Sequence, residues 1–397
     1  MEATYFRKGF GLKQEIEADL AAYHSRVVQR MREENYTLVA GDLTFRLARE
    51  FGFCYGVDRA VEYAYESRRK FPDRRLFLVG EIIHNPHVNA RIEALGITIL
   101  KYDPAGEFDF STITPQDVVL MPAFGVSVRD FERLRAIGCV VVDTTCGSVL
   151  NVWKRVDRYA QDGFTSVVHG KDHHEETKAT VSQATRHPGG KYLIVRDMAE
   201  AEILCRFIEG GDNLAEMEAM FRVKASPGFD FTRDLERIGV ANQTTMLAQE
   251  SLAIADRVGR ALAARYGQDA LADHFRSFDT ICSATQDRQD AVLALIAEPL
   301  DAMLVIGGYN SSNTTNLARI CAARLPTYHI ADAAGIDPKT GTIRHKPVDG
   351  TGEVETAGWL GAGPRRIGIT AGASTPNNKV GEAVERVLEM RGLRLDG

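Results

Sequence analysis

One recurring pattern constrains this chain more than any single residue does: short, continuously apolar runs of strand length, separated by polar loops and helical patterns. The runs include Leu76-Phe77-Leu78-Val79, Val118-Val119-Leu120-Met121, Val140-Val141-Val142 and Ser166-Val167-Val168. Further along come Tyr192-Leu193-Ile194-Val195, Met303-Leu304-Val305-Ile306 and Ile367-Gly368-Ile369. A strand that alternates apolar and polar residues keeps one wet face. A strand that is apolar throughout is covered on both faces, as in parallel sheets flanked by helices. The pattern therefore predicts an α/β fold. With 397 residues the chain is long enough for two or three such domains.

Composition removes several function classes. A net charge of -6 argues against general nucleic-acid binding, which needs a basic footprint to neutralise phosphates. No apolar run approaches the roughly 20 residues that span a bilayer. The first 50 residues lack the apolar core of a signal peptide, and Glu15, Glu17 and Asp19 make them too acidic for a transit peptide. A cytoplasmic protein is expected. Within this region, Ile16, Leu20, Tyr23 and Val27 at helical spacing predict an amphipathic helix over 13–34, packed as an accessory on the surface. Two other stretches, 209–234 and 335–364, read as insertions or loops; the second has room for a hairpin that the sequence does not settle.

Six cysteines in a chain this long are no disulfide framework; in a reducing compartment they are packing, ligands or catalysts. Three share a context. Cys54 in Phe53-Cys54-Tyr55-Gly56-Val57, Cys146 after Asp143-Thr144-Thr145, and Cys282 after Asp279-Thr280-Ile281 each open a helical pattern. This architectural repeat fits three similar α/β units meeting at one point. A helix N-terminus favours a thiolate through its dipole and free N–H groups. Three thiolates brought together would form a soft site suited to an iron–sulfur cluster or zinc. A [4Fe–4S] cluster usually takes four cysteines; with three, one iron keeps an open position. The plainer alternative is three buried structural thiols, because no close Cys-x-x-Cys pair exists. Cys139, Cys205 and Cys321 lie inside apolar or helical stretches and read as packing.

Polar loops follow several of the strands: 80–85 with Glu81, His84 and Asn85, 169–177 with His169, Lys171, His173, His174, Glu175 and Glu176, 307–314, and 370–376. Ligands of open α/β sheets bind at the carboxyl ends of strands, where helix N-termini offer N–H donors to anions. Hydroxyls, an amide and imidazoles together can hold a diphosphate. Each loop alone has an ordinary reading: Ser311-Ser312-Asn313 as a helix cap, the histidines as a solvated loop, and Glu175 and Glu176 as first-turn acids.

Taken in order, these segments resemble the 4-hydroxy-3-methylbut-2-enyl diphosphate reductase family. The residues that carry the likeness are Gly52-Phe53-Cys54, 81–85, 143–146, 169–180, Gln243-Thr244-Thr245, Cys282 with Ala284-Thr285 and Arg288-Gln289, 310–313 and 370–374. The resemblance implies a trefoil of three similar α/β domains, with mainly parallel sheets, around a central iron–sulfur cluster. The corresponding boundaries are an N-terminal extension at 1–42 and domains at 43–145, 146–278 and 279–397, the last with its loop insertion near 335–364. It also implies a [4Fe–4S] cluster on Cys54, Cys146 and Cys282. His84, His174, Thr244, Ser311, Ser312, Asn313 and Ser374 would contact the substrate, and Glu176, Thr244 and His174 would serve catalysis, with Glu176 as proton donor.

The implied reaction is reductive removal of the hydroxyl of an allylic diphosphate. It gives isopentenyl and dimethylallyl diphosphate, the last step of the methylerythritol phosphate route to isoprenoids, with ferredoxin or flavodoxin as electron donor. One departure stands out. Many bacterial members carry histidine where this chain has Phe124, in the Pro122-Ala123-Phe124-Gly125 form of the plant and cyanobacterial branch. Two other readings fit the same thiols: a quinolinate-synthase-like dehydratase with a non-redox Lewis-acid cluster, and a non-enzymatic iron–sulfur sensor or structural zinc protein.

Overall fold

The structure is a computed structural model that describes residues 4–103, 106–278 and 280–395; Asp279 of the third cysteine motif lies outside the described residues. The chain divides into two compact units, each assembled from separated stretches: residues 1–8, 73–80 and 98–282, and residues 9–72, 81–97 and 283–397.

The first unit holds two sheets. One runs in the order Tyr5–Phe6, Val140–Asp143, Val118–Met121, Leu76–Val79, Ile97–Leu100. The other runs Phe275–Ser277, Ile238–Asn242, Thr165–His169, Tyr192–Val195, with every pairing parallel. The expected strands are buried along their whole length, as their apolar sequences require. Leu193, Leu204, Phe221, Phe231, Ile238 and Leu262 belong to the core of the second sheet's layer. The stretch 209–234 is therefore not a loop. It folds as the helix Leu214–Phe221 and a following turn, and Met217, Phe221, Phe229 and Phe231 bury their side chains in that core. Its Gly and Pro punctuation masked an aromatic cluster.

The second unit is built on a sheet ordered Thr327–Ile330, Ala302–Ile306, Arg365–Ala371, Leu43–Leu47, Thr37–Ala40. It is parallel except for the edge hairpin of its last two strands. Ile336–Asp337, Thr342–His345 and Val354–Ala357 form a separate antiparallel meander, so the second loop-like stretch does contain a hairpin.

The accessory surface helix is a correction. The segment breaks into Lys13–Leu20, a short turn Ala21–Tyr23, and Arg26–Glu33. Ser25 stays extended and caps the last helix, its Oγ accepting the Val28 N–H at 3.3 Å. Val27, Val28 and Met31 then enter the core beside Leu38, Phe45 and Val384.

Each of the three main sheets sends one strand toward a cysteine that heads a helix. Val140–Asp143 leads to Cys146 and Gly147–Gln161, and Phe275–Ser277 leads to Cys282 and Ser283–Leu295. Leu43–Leu47 leads to Cys54 and Tyr55–Lys70. Among the described residues no helix is long and apolar enough to cross a membrane.

Candidate functional site

Strand register decides which loops become neighbours. In the first unit Met121 pairs with Asp143, so the turn Pro122-Ala123-Phe124-Gly125 lies beside Thr144-Thr145-Cys146. The contacts agree: Thr144 Oγ1 donates to the Met121 carbonyl at 2.6 Å and the Cys146 N–H to the Ala123 carbonyl at 2.9 Å. Gly125 closes that turn at φ +75°, and a Cβ there would run into the Trp153 ring, so no other residue fits.

His169 pairs with Asn242 in the neighbouring sheet, which sets the loop 170–177 against Gln243-Thr244-Thr245. Gln243, fully buried, is the bracket between them. Its Oε1 accepts the Lys171 N–H at 3.1 Å and the Thr177 hydroxyl at 3.2 Å, while its Nε2 donates to Thr245 Oγ1 at 2.8 Å. Across the same junction the Thr244 N–H donates to Glu176 Oε1 at 2.6 Å. Glu176 is 2% exposed, a buried carboxyl in the first turn of the helix Glu175–Ala184.

His174 caps that helix. Its Nδ1 accepts the Glu176 N–H at 3.1 Å, which leaves the proton of the neutral ring on Nε2 as a donor. The Phe124 ring meets the imidazole edge-on, with centroids 5.9 Å apart. Phe124 thus forms an apolar wall against His174. Near two of this unit's four thiols, Ser148, on the helix headed by Cys146, donates to Cys282 Sγ at 3.3 Å.

In the second unit Ile306 pairs with Ala371 and Ile369 with Leu47, which gathers the loops 307–313, 372–375 and 48–54. Ser311 does cap the helix Ser312–Ala322, so the plain reading of that motif is correct as far as it goes. Capping does not account for Asn313. Its Oδ1 accepts the Ala373 N–H at 2.9 Å, while its Nδ2 is buried without a partner among the described residues. A buried orphan donor is uncommon in a native fold and suits an anion. Ser374 Oγ donates to the His84 carbonyl at 3.1 Å and lies 3.5 Å from Ser311 Oγ. Glu81 orients this corner, its Oε2 lying 3.0 Å from His84 Nδ1 and accepting from Asn310 Nδ2 at 3.1 Å.

Cys54 is held by backbone: its N–H donates to the Ala373 carbonyl at 3.3 Å, and the Gly52 N–H to the Ala371 carbonyl at 3.1 Å. None of the six cysteines is disulfide-bonded. Cys54, Cys146 and Cys282 are partly exposed; Cys139, Cys205 and Cys321 are buried, and burial pushes their thiols up to about 11, 12 and 12. Burial thus disfavours the thiolate at the three that read as packing, while the helix-heading ones remain accessible.

The first unit brings His174, Glu176 and Thr244 into one hydrogen-bonded corner and Cys146 close to Cys282 through Ser148. The second gathers His84, Ser311, Asn313 and Ser374, with Ser312 buried in the first turn beside them. Sequence reasoning assigned no role to Gln243, Glu81 or Arg288. All three stood within quoted segments, but a lone amide, acid or arginine carries no signal of burial.

Fold and site together define an α/β protein that presents partly exposed thiols at helix N-termini and polar donors in the loops that follow its strands. The chain belongs to the LytB protein family, whose model matches residues 45–388. It is 48% identical to the 4-hydroxy-3-methylbut-2-enyl diphosphate reductase of Gloeobacter violaceus, over 99% of this chain and 94% of that one. To the enzyme of the same name from Thermosynechococcus vestitus it is 47% identical, over 98% and 95%. Among solved structures it is similar to an (E)-4-hydroxy-3-methyl-but-2-enyl diphosphate reductase described as the terminal enzyme of the non-mevalonate pathway. That match has 26% identity and a TM-score of 0.53, and covers 87% of this chain and 99% of that one. The Plasmodium falciparum reductase structure, at 20% identity, TM-score 0.63 and 87% coverage of both chains, shares the fold.

Proposed function

We propose that this chain reduces (E)-4-hydroxy-3-methylbut-2-enyl diphosphate to isopentenyl and dimethylallyl diphosphate, the last step of the non-mevalonate pathway. The observation that carries the reading is near-complete coverage, at 44–48% identity, by relatives bearing that reductase name. The polar corners of the two units supply chemistry of the required kind.

Cys54, Cys146 and Cys282 would hold a [4Fe–4S] cluster. The donor set fits: three thiols, each directly before a helix that follows a strand of a different main sheet, accessible where the other three are buried. When bound, such a cluster supplies electrons and an iron with one open coordination position. The protein's own residues do the rest. In the second unit Asn313 Nδ2, the Ser311, Ser312 and Ser374 hydroxyls and His84 are donors for a diphosphate. In the first, His174 offers its Nε2–H, and Glu176, aligned by the Thr244 N–H, donates the proton that lets the hydroxyl leave as water. Thr244 would address the substrate hydroxyl.

The reaction consumes two electrons and two protons, and we assign the donor role to a ferredoxin or flavodoxin. The unbridged thiols fit a reducing compartment, and we place the reaction in the cytoplasm. The three main sheets would be the cores of the three domains of a trefoil.

The test is anaerobic: load the purified chain with iron and sulfide, then add reduced viologen and the hydroxylated allylic diphosphate. Substrate-dependent dye oxidation that yields the two five-carbon diphosphates supports the reading. Iron uptake without substrate-dependent electron consumption defeats it in favour of a Lewis-acid dehydratase or a sensor.

A further inference from the structure

Arg288 lies in the helix Ser283–Leu295 and is 3% exposed. A guanidinium stays charged at any physiological pH, and burying it is expensive unless its N–H groups are satisfied. Here they are satisfied almost entirely by one short peptide. Nη2 donates to the Gly52 carbonyl at 2.7 Å and the Phe53 carbonyl at 3.1 Å; Nε donates to Gly52 at 3.2 Å; and Nη1 donates to the Ala284 carbonyl one turn back at 2.7 Å. Among the described residues the guanidinium forms no carboxylate ion pair.

The peptide it grips is the one that ends in Cys54. The N–H groups of Gly52 and Cys54 are already bound to the carbonyls of Ala371 and Ala373, so the loop is fixed from both sides. Gly52 makes this possible. Its φ is +69°, and a Cβ would lie 2.9 Å from Asn377 Oδ1 and 3.1 Å from the Thr375 carbonyl. The turn aims two successive carbonyls toward one planar fork, a geometry that a guanidinium matches and an ammonium does not.

We infer that Arg288 is the positioning residue for Cys54: it sets the Gly52–Cys54 loop so that the thiol is held ready as a ligand, and places a fixed positive charge beside the loop that bears it. The inference rests on the cluster reading for what Cys54 ligates, but not for how the loop is held.

The test compares wild type, Arg288→Met and Arg288→Lys as full-length chains. Before loading, iodoacetamide alkylation of Cys54, Cys146 and Cys282 is followed by peptide mass mapping at pH 9, where thiols are largely ionised and access decides the rate. Arg288→Met is expected to speed alkylation at Cys54 about fivefold and leave Cys146 and Cys282 unchanged; Arg288→Lys, restoring charge and part of the bonding, about twofold. After anaerobic loading, Arg288→Met should retain less iron through gel filtration than wild type. An unchanged Cys54 rate, or equal acceleration at all three cysteines, overturns the inference. If Arg288→Met does not fold, Arg288→Lys decides by the same criterion. A wild-type chain that takes up no iron defeats the cluster reading alone, and the Cys54 rates still decide the role of Arg288.

Discussion

Glu176 and Thr244, 68 positions apart in sequence, are joined by a 2.6 Å hydrogen bond from the Thr244 N–H to Glu176 Oε1. The strand register that pairs His169 with Asn242 makes this contact possible. A glutamine at 176 keeps an oxygen to accept that N–H but has no acidic proton to give. Glu176→Gln should therefore fold and take up iron like wild type, while viologen-coupled turnover falls by about 100-fold or more, the usual contribution of a general acid. Turnover near the wild-type rate in a fully loaded variant would sink the proton-donor assignment.

Gln243 lies at the same junction without facing the chemistry itself. Truncation to alanine removes hydrogen bonds to the Lys171 N–H, the Thr177 hydroxyl and Thr245 Oγ1, each worth about 1 kcal/mol. Gln243→Ala should lower the urea midpoint and reduce kcat more than it raises KM, because the loop it releases carries Thr244. Denaturation and steady-state kinetics on one preparation check both. A variant with wild-type kcat would show that the Thr244 loop holds itself.

At Phe124 the expected effect is on binding. The ring packs edge-on against His174, whose Nδ1 is committed to the Glu176 N–H. Phe124→Ala removes the wall and lets the imidazole leave its rotamer, so KM for the diphosphate should rise several-fold with kcat little changed. A fall in kcat at unchanged KM would place Phe124 in the chemical step instead.

Much of this was legible in the sequence because the signals were local. The apolar runs became strands at Leu76–Val79, Val118–Met121 and Tyr192–Val195, since continuous burial on both faces leaves that trace. The helix-heading cysteines were legible for the same reason. What could not be read depended on long-range pairing. The pairing of Leu43–Leu47 with Arg365–Ala371 leaves no mark in either segment. Arg288 reads as a surface residue of its helix until Gly52 and Phe53 turn their carbonyls toward it. In sequence the N-terminal segment reads as one accessory helix because Ser25 looks like any polar residue; only its cap shows where the helix breaks and where Val28 and Met31 are redirected inward.

The division of the cysteines is testable by iron content. Serine at Cys54, Cys146 or Cys282 should lower retained iron from about four per chain to below about one, since loss of one of three ligands leaves too few to hold a cluster. Serine at Cys205 or Cys321 should leave iron unchanged but lower the melting temperature, because each buries a hydroxyl among apolar side chains; serine at Cys139, where the Leu134 carbonyl can accept, should leave iron unchanged at a smaller cost. Full iron retention in the Cys146→Ser chain would remove that residue from the ligand set.

Acid stability follows from two buried histidines. Burial pushes the imidazoles of His169 and His329 down to about 4 from the ordinary 6.5. His329 Nε2 is engaged with the Gly307 carbonyl, and His169 Nδ1 with Ser251 Oγ. A depressed histidine pKa means that the unfolded chain binds the proton more readily than the folded one. Folding stability is therefore unaffected by these groups above about pH 6.5 and declines as the pH falls from there toward 4, by up to roughly 3 kcal/mol for each. The urea midpoint should drop between pH 7 and pH 5 by more than a chain without these groups would show. His329→Gln keeps a donor for the Gly307 carbonyl and cannot titrate, so it should flatten that slope while shifting the pH 7 midpoint only slightly. An unaltered slope in His329→Gln would mean that the acid sensitivity arises elsewhere, with His169 and its Ser251 contact the next to change.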